Sequence, residues 1–432
     1  MKMANMDDYF DVVIVGTGAA GLYCALNLPA RYRILLLTKQ KADESDSFLA
    51  QGGICMQHGE ADYRPFFDDT MRAGHYENNP ATVDLMIRSS NSIIRDLVRR
   101  GVRFARDDHG ALRFTREGAH SRPRILFHED ITGHEITQTL LNEVLRCETI
   151  ALREHTTLLG FFADASACGG VIAAGPDGEP RAIGAGAVVL ACGGIGGLYK
   201  NSTNFPHITG DAIAMALRHG VACEHLDYIQ IHPTTLYSHR KGRRFLISES
   251  VRGEGALLLD KNGNRFTNEL QPRDVVSAAI RAQMEKDGTD HVWEDMRPIG
   301  EAAIREHFPN ILERCEEEGY DPIHEPIPVV PAQHYFMGGI TADLSSRTAL
   351  PRLYVCGETC CNGVHGRNRL ASNSLLESLV FAQRAADDIL YGEPPVFTGD
   401  KPDLAPYREQ EPLFAAYRQE VLTAIERSKN HE

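Results

Sequence analysis

Apolar residues fall into two rhythms along this chain: short unbroken aliphatic runs that end at glycines, and longer stretches with apolar residues at helical spacing. Asp11-Val-Val-Ile-Val15 is the first aliphatic run, of the kind that forms a central parallel strand. It passes directly into Gly16-Thr-Gly18-Ala-Ala-Gly21 and a helix-like stretch, Leu22 to Leu28. A second run, Arg33 to Thr38, follows at βαβ distance. Leu85, Ile87, Ile93, Ile94, Leu97 and Val98 predict a helix over 84–100, and another is predicted over 134–145. Ala187 to Ala191 reads as a buried strand entering a glycine turn. The glycines around it argue against a membrane span in the uncharged stretch Ala182 to Tyr199. Leu353 to Cys356 is a further strand, leading into Gly357 and Glu358. A long helix is predicted over 374–390, where Ser374-Leu-Leu-Glu377 has the capping-box form.

Between these segments the pattern changes. Residues from about Asp227 to Ala332 mix short runs, such as Ala256 to Leu259, with charged helix-like stretches and an Asn262-Gly263 turn signal. Strands of one nucleotide-binding type therefore lie at both ends of a different insert. The fold class is α/β: a discontinuous Rossmann-type domain over 1–224 and 336–393, interrupted by an α+β capping domain over 225–335. A short helical tail over 394–432 follows a proline-rich linker, Pro394 to Pro406. A ligand site is expected in the cleft where the two domains meet.

The chain has 432 residues, which at ~150 per domain suggests two or three domains. Its 43% hydrophobic and 24% charged content excludes wholesale disorder. A net charge of −14 argues against a general nucleic-acid binder. Met1 to Phe10 has no basic-then-apolar run, so a secretion signal is not expected, and ten cysteines without paired spacing read as reduced thiols. The expectation is a soluble cytoplasmic protein without a membrane, nucleic-acid or metal partner.

Gly16-x-Gly18-x-x-Gly21, between a strand and a helix, lets backbone N–H groups approach a pyrophosphate. The acidic residue expected about 20 positions on is replaced by Thr38 and Lys39. This moves weight from NAD to FAD held by several strand ends. The cluster Gly193-Gly194-Ile-Gly196-Gly197 and Gly357-Glu358 support that reading, and the helix near Ser374 would aim its positive end at a reduced flavin.

A set of longer motifs then occurs in one order: Ala50-Gln-Gly-Gly-Ile54, Ile208-Thr-Gly-Asp211, Gln230-Ile-His-Pro-Thr234, Arg252-Gly-Glu-Gly255, Pro272-Arg-Asp274, His334-Tyr335 with Gly338-Gly339, and the run from His365 to Ser374. From about Val12 to Leu390 the chain resembles the succinate dehydrogenase/fumarate reductase flavoprotein superfamily and, within it, the L-aspartate oxidase family. That resemblance implies oxidation of L-aspartate to iminoaspartate by hydride transfer from Cα to flavin N5. The acceptor would be O2 or fumarate, and the product would feed NAD biosynthesis through quinolinate, with functional coupling to quinolinate synthase. It implies that Gly16, Gly18, Ala19, Gly21 and Lys39 hold FAD together with Ser47, Gln51, Gly52 and Gly53. Asp211, Glu358, Ser374 and Leu375 would complete that set.

The resemblance also makes Arg273 the proton-moving catalytic residue and assigns substrate carboxylates to His232, Ser248, His334 and Arg369, with Gln230 nearby. Arginine suits this because its fork meets a carboxylate through two parallel hydrogen bonds. Glu117, in Thr115-Arg-Glu-Gly-Ala-His-Ser121, would meet the substrate ammonium.

Three departures stand out. Respiratory relatives attach FAD through a histidine five residues before the glutamine of the Ala-Gln-Gly-Gly motif. Asp46 stands there, so FAD is expected to be non-covalent. Arg367 replaces a small residue and either adds a cation beside Arg369 or points away. The chain stops soon after Tyr407, where the family commonly continues into a helical bundle. A soluble fumarate reductase or succinate-oxidising flavoprotein is the alternative reading; a third is a protein that carries FAD without a substrate of its own.

Overall fold

The computed structural model describes residues 8–239, 242–392 and 395–430. Of the stretches behind the signal-sequence and linker expectations, the residues before Asp8 and Pro394 lie outside that range.

The first two aliphatic runs pair in parallel, Val12 with Ile34 through Val15 with Leu37. They form the middle of a seven-stranded sheet. Its order is Ile150–Arg153, Ile34–Leu37, Tyr9–Val15, Pro180–Leu190, Cys168–Ala174, Thr157–Ala163. Pro180–Leu190 divides one of its edges: its first half pairs antiparallel with Cys168–Ala174, and Val188 to Leu190 pair parallel with Leu353–Val355. Val12 and Ile14 face one core while Val13 and Val15 face another. Both faces are covered, so these strands read as unbroken apolar runs rather than alternating ones.

A second, four-stranded antiparallel sheet runs Ile229–Leu236, Ile327–Phe336, Val292–Asp295, Leu257–Leu259. It has its own core around Ile247, Val276, Ile280 and Phe308. The pairing of its first two strands shifts register between Gln230 and Ile231 and again between His232 and Thr235. Pro233 lies inside the second shift. A proline cannot donate to the ladder, and a bulge re-aims neighbouring side chains.

Several local expectations need correction. The capping box does not form. The helix Asn373–Tyr391 starts behind Ser372, a residue in the left-handed region at φ 60°. Ser374 Oγ instead accepts from Arg369 Nη1 at 3.2 Å, and Glu377 accepts from Asn362 Nδ2. A loop packed across the helix start has recruited both side chains. The terminal helix Gln410–Lys429 is 20 residues rather than short. Its stripe of Leu413, Tyr417, Val421 and Ile425 packs into the core on one face of the large sheet. The antiparallel pair Thr157–Ala163 and Cys168–Ala174 had no counterpart in the sequence reading. Among the described residues no helix is long and apolar enough to cross a membrane.

Candidate active site

One cleft runs from the glycine turn after the first strand to the bulged strand of the second sheet. At the first end, Gly16 has φ +115°, and a side chain there would strike the Ala191 carbonyl. A Cβ on Gly21 would strike the Gly16 carbonyl, so this glycine packs helix against strand and does not line the cleft. Ala19 is likewise outside the lining; its N–H donates to Ser47 Oγ at 3.0 Å. Gly18, Lys39, Ser47, Gln51, Gly52 and Gly53 do line it, as do Asp211, Glu358, Ser374 and Leu375. Lys39 Nζ is 2.6 Å from Asp211, the first residue of the helix Asp211–Arg218.

The donor set fits a dinucleotide. Ser45 Oγ, Asp46 Oδ2 and Gln51 Oε1 are buried without a partner among the described residues, and all three residues lie along this wall. Buried polar atoms of this kind are satisfied by something. The start of the helix Asn373–Tyr391 adds a positive dipole end through Ser374 and Leu375.

At the second end the sequence-predicted substrate residues converge. Glu117, His232, Ser248, Arg273, His334 and Arg369 all line the cleft. Gln230 does not. It sits behind the two arginines, its Oε1 accepting from Arg273 Nη1 at 2.9 Å and from Arg369 Nη2 at 3.0 Å. Its Nε2 is tied to Asn368 Oδ1 and to the Arg369 carbonyl. Arg367 points away, over the Tyr228 ring and 3.7 Å from Glu77.

The arginines differ in their partners. Arg273 is paired with buried Glu249 at 2.5 Å. Arg369 has only neutral partners among the described residues: Gln230, Ser374 and the face of the Tyr335 ring, 4.5 Å away. Its Nε is buried and unpartnered. Burial and then Arg273 push its pKa down to about 10, so it remains a cation, with no carboxylate in contact among the described residues. His232 and His334 meet edge to face at 5.1 Å. Burial, and then the charge of Arg273, holds both imidazoles well below their usual pKa and hence neutral. His334 Nδ1 is 2.8 Å from Thr203 Oγ1, and His232 Nε2 is buried without a partner among the described residues.

Glu117 is anchored by two serines, accepting from Ser250 Oγ at 2.9 Å and Ser372 Oγ at 2.6 Å. Burial and then the Glu249 charge raise its pKa. A Cβ on Gly52 would lie 2.7 Å from Glu117 Oε1, so the glycine leaves that carboxylate room.

Sequence reasoning missed Glu249, Ser250, Ser372 and Thr203, and it gave Arg252 no role. Arg252 is buried within 3.8 Å of Glu249, which extends the charged row from Arg273 into the second core. The one available signal was the charge density of Glu249 to Glu254 between apolar runs, and that pattern also describes a solvated helix.

The FAD binding domain family matches residues 11–375. The L-aspartate oxidase of Clostridium perfringens is 47% identical over 380 residues, covering 88% of this chain and 86% of that protein. The L-aspartate oxidase of Nostoc sp. is 44% identical over 442 residues, covering 98% and 76%. Among solved structures, a quinol–fumarate reductase with menaquinol molecules aligns with a TM-score of 0.85 at 32% identity, over 96% of this chain and 75% of that one. An E. coli quinol fumarate reductase aligns at 0.83 and 30%, over 95% and 74%. By fold, glycine turn and sequence alike, the chain belongs to the FAD binding domain family and, within it, to the L-aspartate oxidases.

Proposed function

We propose that this chain oxidises L-aspartate to iminoaspartate as the first step of NAD biosynthesis through quinolinate. FAD held along the glycine-turn end would supply the hydride acceptor for Cα at N5, with O2 or fumarate as the final acceptor. On this reading 1–224 and 336–393 form the cofactor-holding part, 225–335 the cap, and 394–432 a helical tail. Gly16, Gly18, Ala19, Lys39, Ser47, Gln51, Gly52, Gly53, Asp211, Glu358, Ser374 and Leu375 hold the dinucleotide, while Gly21 keeps the turn tight.

The remaining work is positioning and charge. The observation that carries the reading is the pairing difference between the arginines. Arg369, a buried cation with a free Nε and no carboxylate partner, is set to grip a substrate carboxylate. His232, His334 and Ser248 supply polar groups for the second carboxylate. A neutral imidazole there gains charge only when an anion arrives, which favours a dicarboxylate. Glu117 meets the ammonium group and separates aspartate from succinate. Arg273 moves a proton, with Glu249 the group that can take it. Gln230 positions both arginines rather than touching substrate. Activity in the cytoplasm beside quinolinate synthase is part of the same proposal.

Aerobic incubation with L-aspartate should release hydrogen peroxide together with oxaloacetate and ammonia from imine hydrolysis, and D-aspartate should give none. Equal turnover of the two isomers, or none with either, would overturn the assignment.

A further inference from the structure

Arg369, unlike Arg273, is held only by neutral groups among the described residues. The most intimate is the Tyr335 ring, whose face lies 4.5 Å from the guanidinium carbon. That ring is itself fixed: His365 meets it edge to face at 5.4 Å, and the Tyr335 hydroxyl is 3.4 Å from His365 Nε2. All three side chains are buried, His365 Nδ1 has no partner among the described residues, and burial keeps His365 neutral. The stack therefore adds no second charge. A ring face attracts a cation through its quadrupole, most strongly where water is excluded, yet it does not neutralise the charge as a carboxylate would.

We infer that Tyr335 is the positioning residue for Arg369, holding the guanidinium by cation–π stacking so that its full charge stays available to a substrate carboxylate, with His365 locking the ring. This rests on the aspartate-oxidising reading above for the identity of the ligand. The contrast with Arg273 gives the logic: an arginine already paired at 2.5 Å with Glu249 is a poor carboxylate receptor, whereas one held by a π face and a carbonyl is a good one.

The experiment uses the FAD-loaded protein and reads the dissociation constant of succinate from its perturbation of the flavin spectrum, alongside KM and kcat for L-aspartate. Tyr335→Phe keeps the ring and should stay within about threefold of wild type. Tyr335→Leu should weaken succinate binding and raise KM about tenfold, equivalent to about 1.4 kcal/mol, with kcat changed less than KM. Replacing Tyr335 with trifluorophenylalanine preserves shape and drains the ring face of charge, so it tests the stack even where the leucine variant fails to fold. Its binding should weaken toward that of Tyr335→Leu. Binding by the fluorinated variant equal to that of Tyr335→Phe, or a phenylalanine variant as weak as the leucine one, would overturn the inference. Wild-type turnover of L-aspartate in the same preparation tests the underlying reading separately, because succinate binding is measured without turnover.

Discussion

Arg273 and Arg369 donate to one and the same atom, Oε1 of Gln230, at 2.9 and 3.0 Å. Two like charges reaching a single carbonyl would spread apart without it, and Gln230 is itself tied to Asn368 and to the Arg369 backbone. The amide thus sets the spacing of the two guanidiniums from behind the cleft wall. Gln230→Leu removes that shared acceptor. A hydrogen bond to a charged group is worth about 1.5–3 kcal/mol, so kcat/KM for L-aspartate should fall roughly 10- to 100-fold. FAD content should be unchanged, which the flavin-to-protein absorbance ratio checks.

The unequal pairing of the two arginines predicts a split in kinetics. Arg369→Leu removes the cation that has no carboxylate in contact among the described residues and should raise KM roughly 30-fold or more, from the ~2 kcal/mol lower bound for truncating a buried charged contact. Arg273→Leu should instead abolish turnover while succinate still perturbs the flavin spectrum, since Arg273 is already paired with Glu249. Steady-state kinetics and a succinate titration on the two variants separate the roles.

Glu117 lines the same cleft as His232, Arg273, His334 and Arg369, and two serine hydroxyls hold its carboxylate in place. Glu117→Gln keeps the shape and removes the charge that pairs with an ammonium. Its kcat/KM for L-aspartate should drop about tenfold or more, while succinate, which carries no ammonium, should bind at least as tightly as in wild type. Parallel succinate and L-aspartate titrations test this.

Glu294 has both carboxylate oxygens buried and unpartnered among the described residues, and burial raises its pKa to about 8. A carboxyl raised in the folded state binds a proton that the unfolded chain has already lost. Stability is therefore lost as pH rises from the ordinary glutamate range toward 8. Glu294→Gln has no such titration. Its stability should match wild type near pH 4 and exceed it increasingly up to pH 8, by at most about 1.4 kcal/mol per pH unit, and then level off. Thermal melts of both proteins across that range settle the sign.

Much of the scaffold was readable because it is local. Strand, glycine turn and helix from Asp11 to Leu28 announce themselves within eighteen residues, and the turn needs Gly16 and Gly21 for reasons of close backbone approach alone. Glu117, His232, Ser248, Arg273, His334 and Arg369 share one cleft, although they come from widely separated stretches of the chain. What failed depended on partners from elsewhere. Ser374 and Glu377 read as a capping box, but Arg369 and Asn362 claim them. Gln230 was expected near the substrate carboxylates, yet it lies outside the cleft lining, its Oε1 taken by two arginines. Glu249 drew no role and Arg252 appeared only within a motif, because burial by a second core is invisible in a charged pentapeptide. The terminal helix looked minor because its apolar stripe has meaning only against the sheet it covers.

The central claim is that cations and imidazoles grip a four-carbon dicarboxylate while Glu117 demands an amino group on it. Anaerobic titration of the FAD-loaded protein with L-aspartate, D-aspartate and succinate tests this most directly. Bleaching of the flavin by the L-isomer alone or far fastest, with colour restored by fumarate, is the expected result. Bleaching by succinate as fast as by L-aspartate, or a flavin that none of the three reduces, would contradict it.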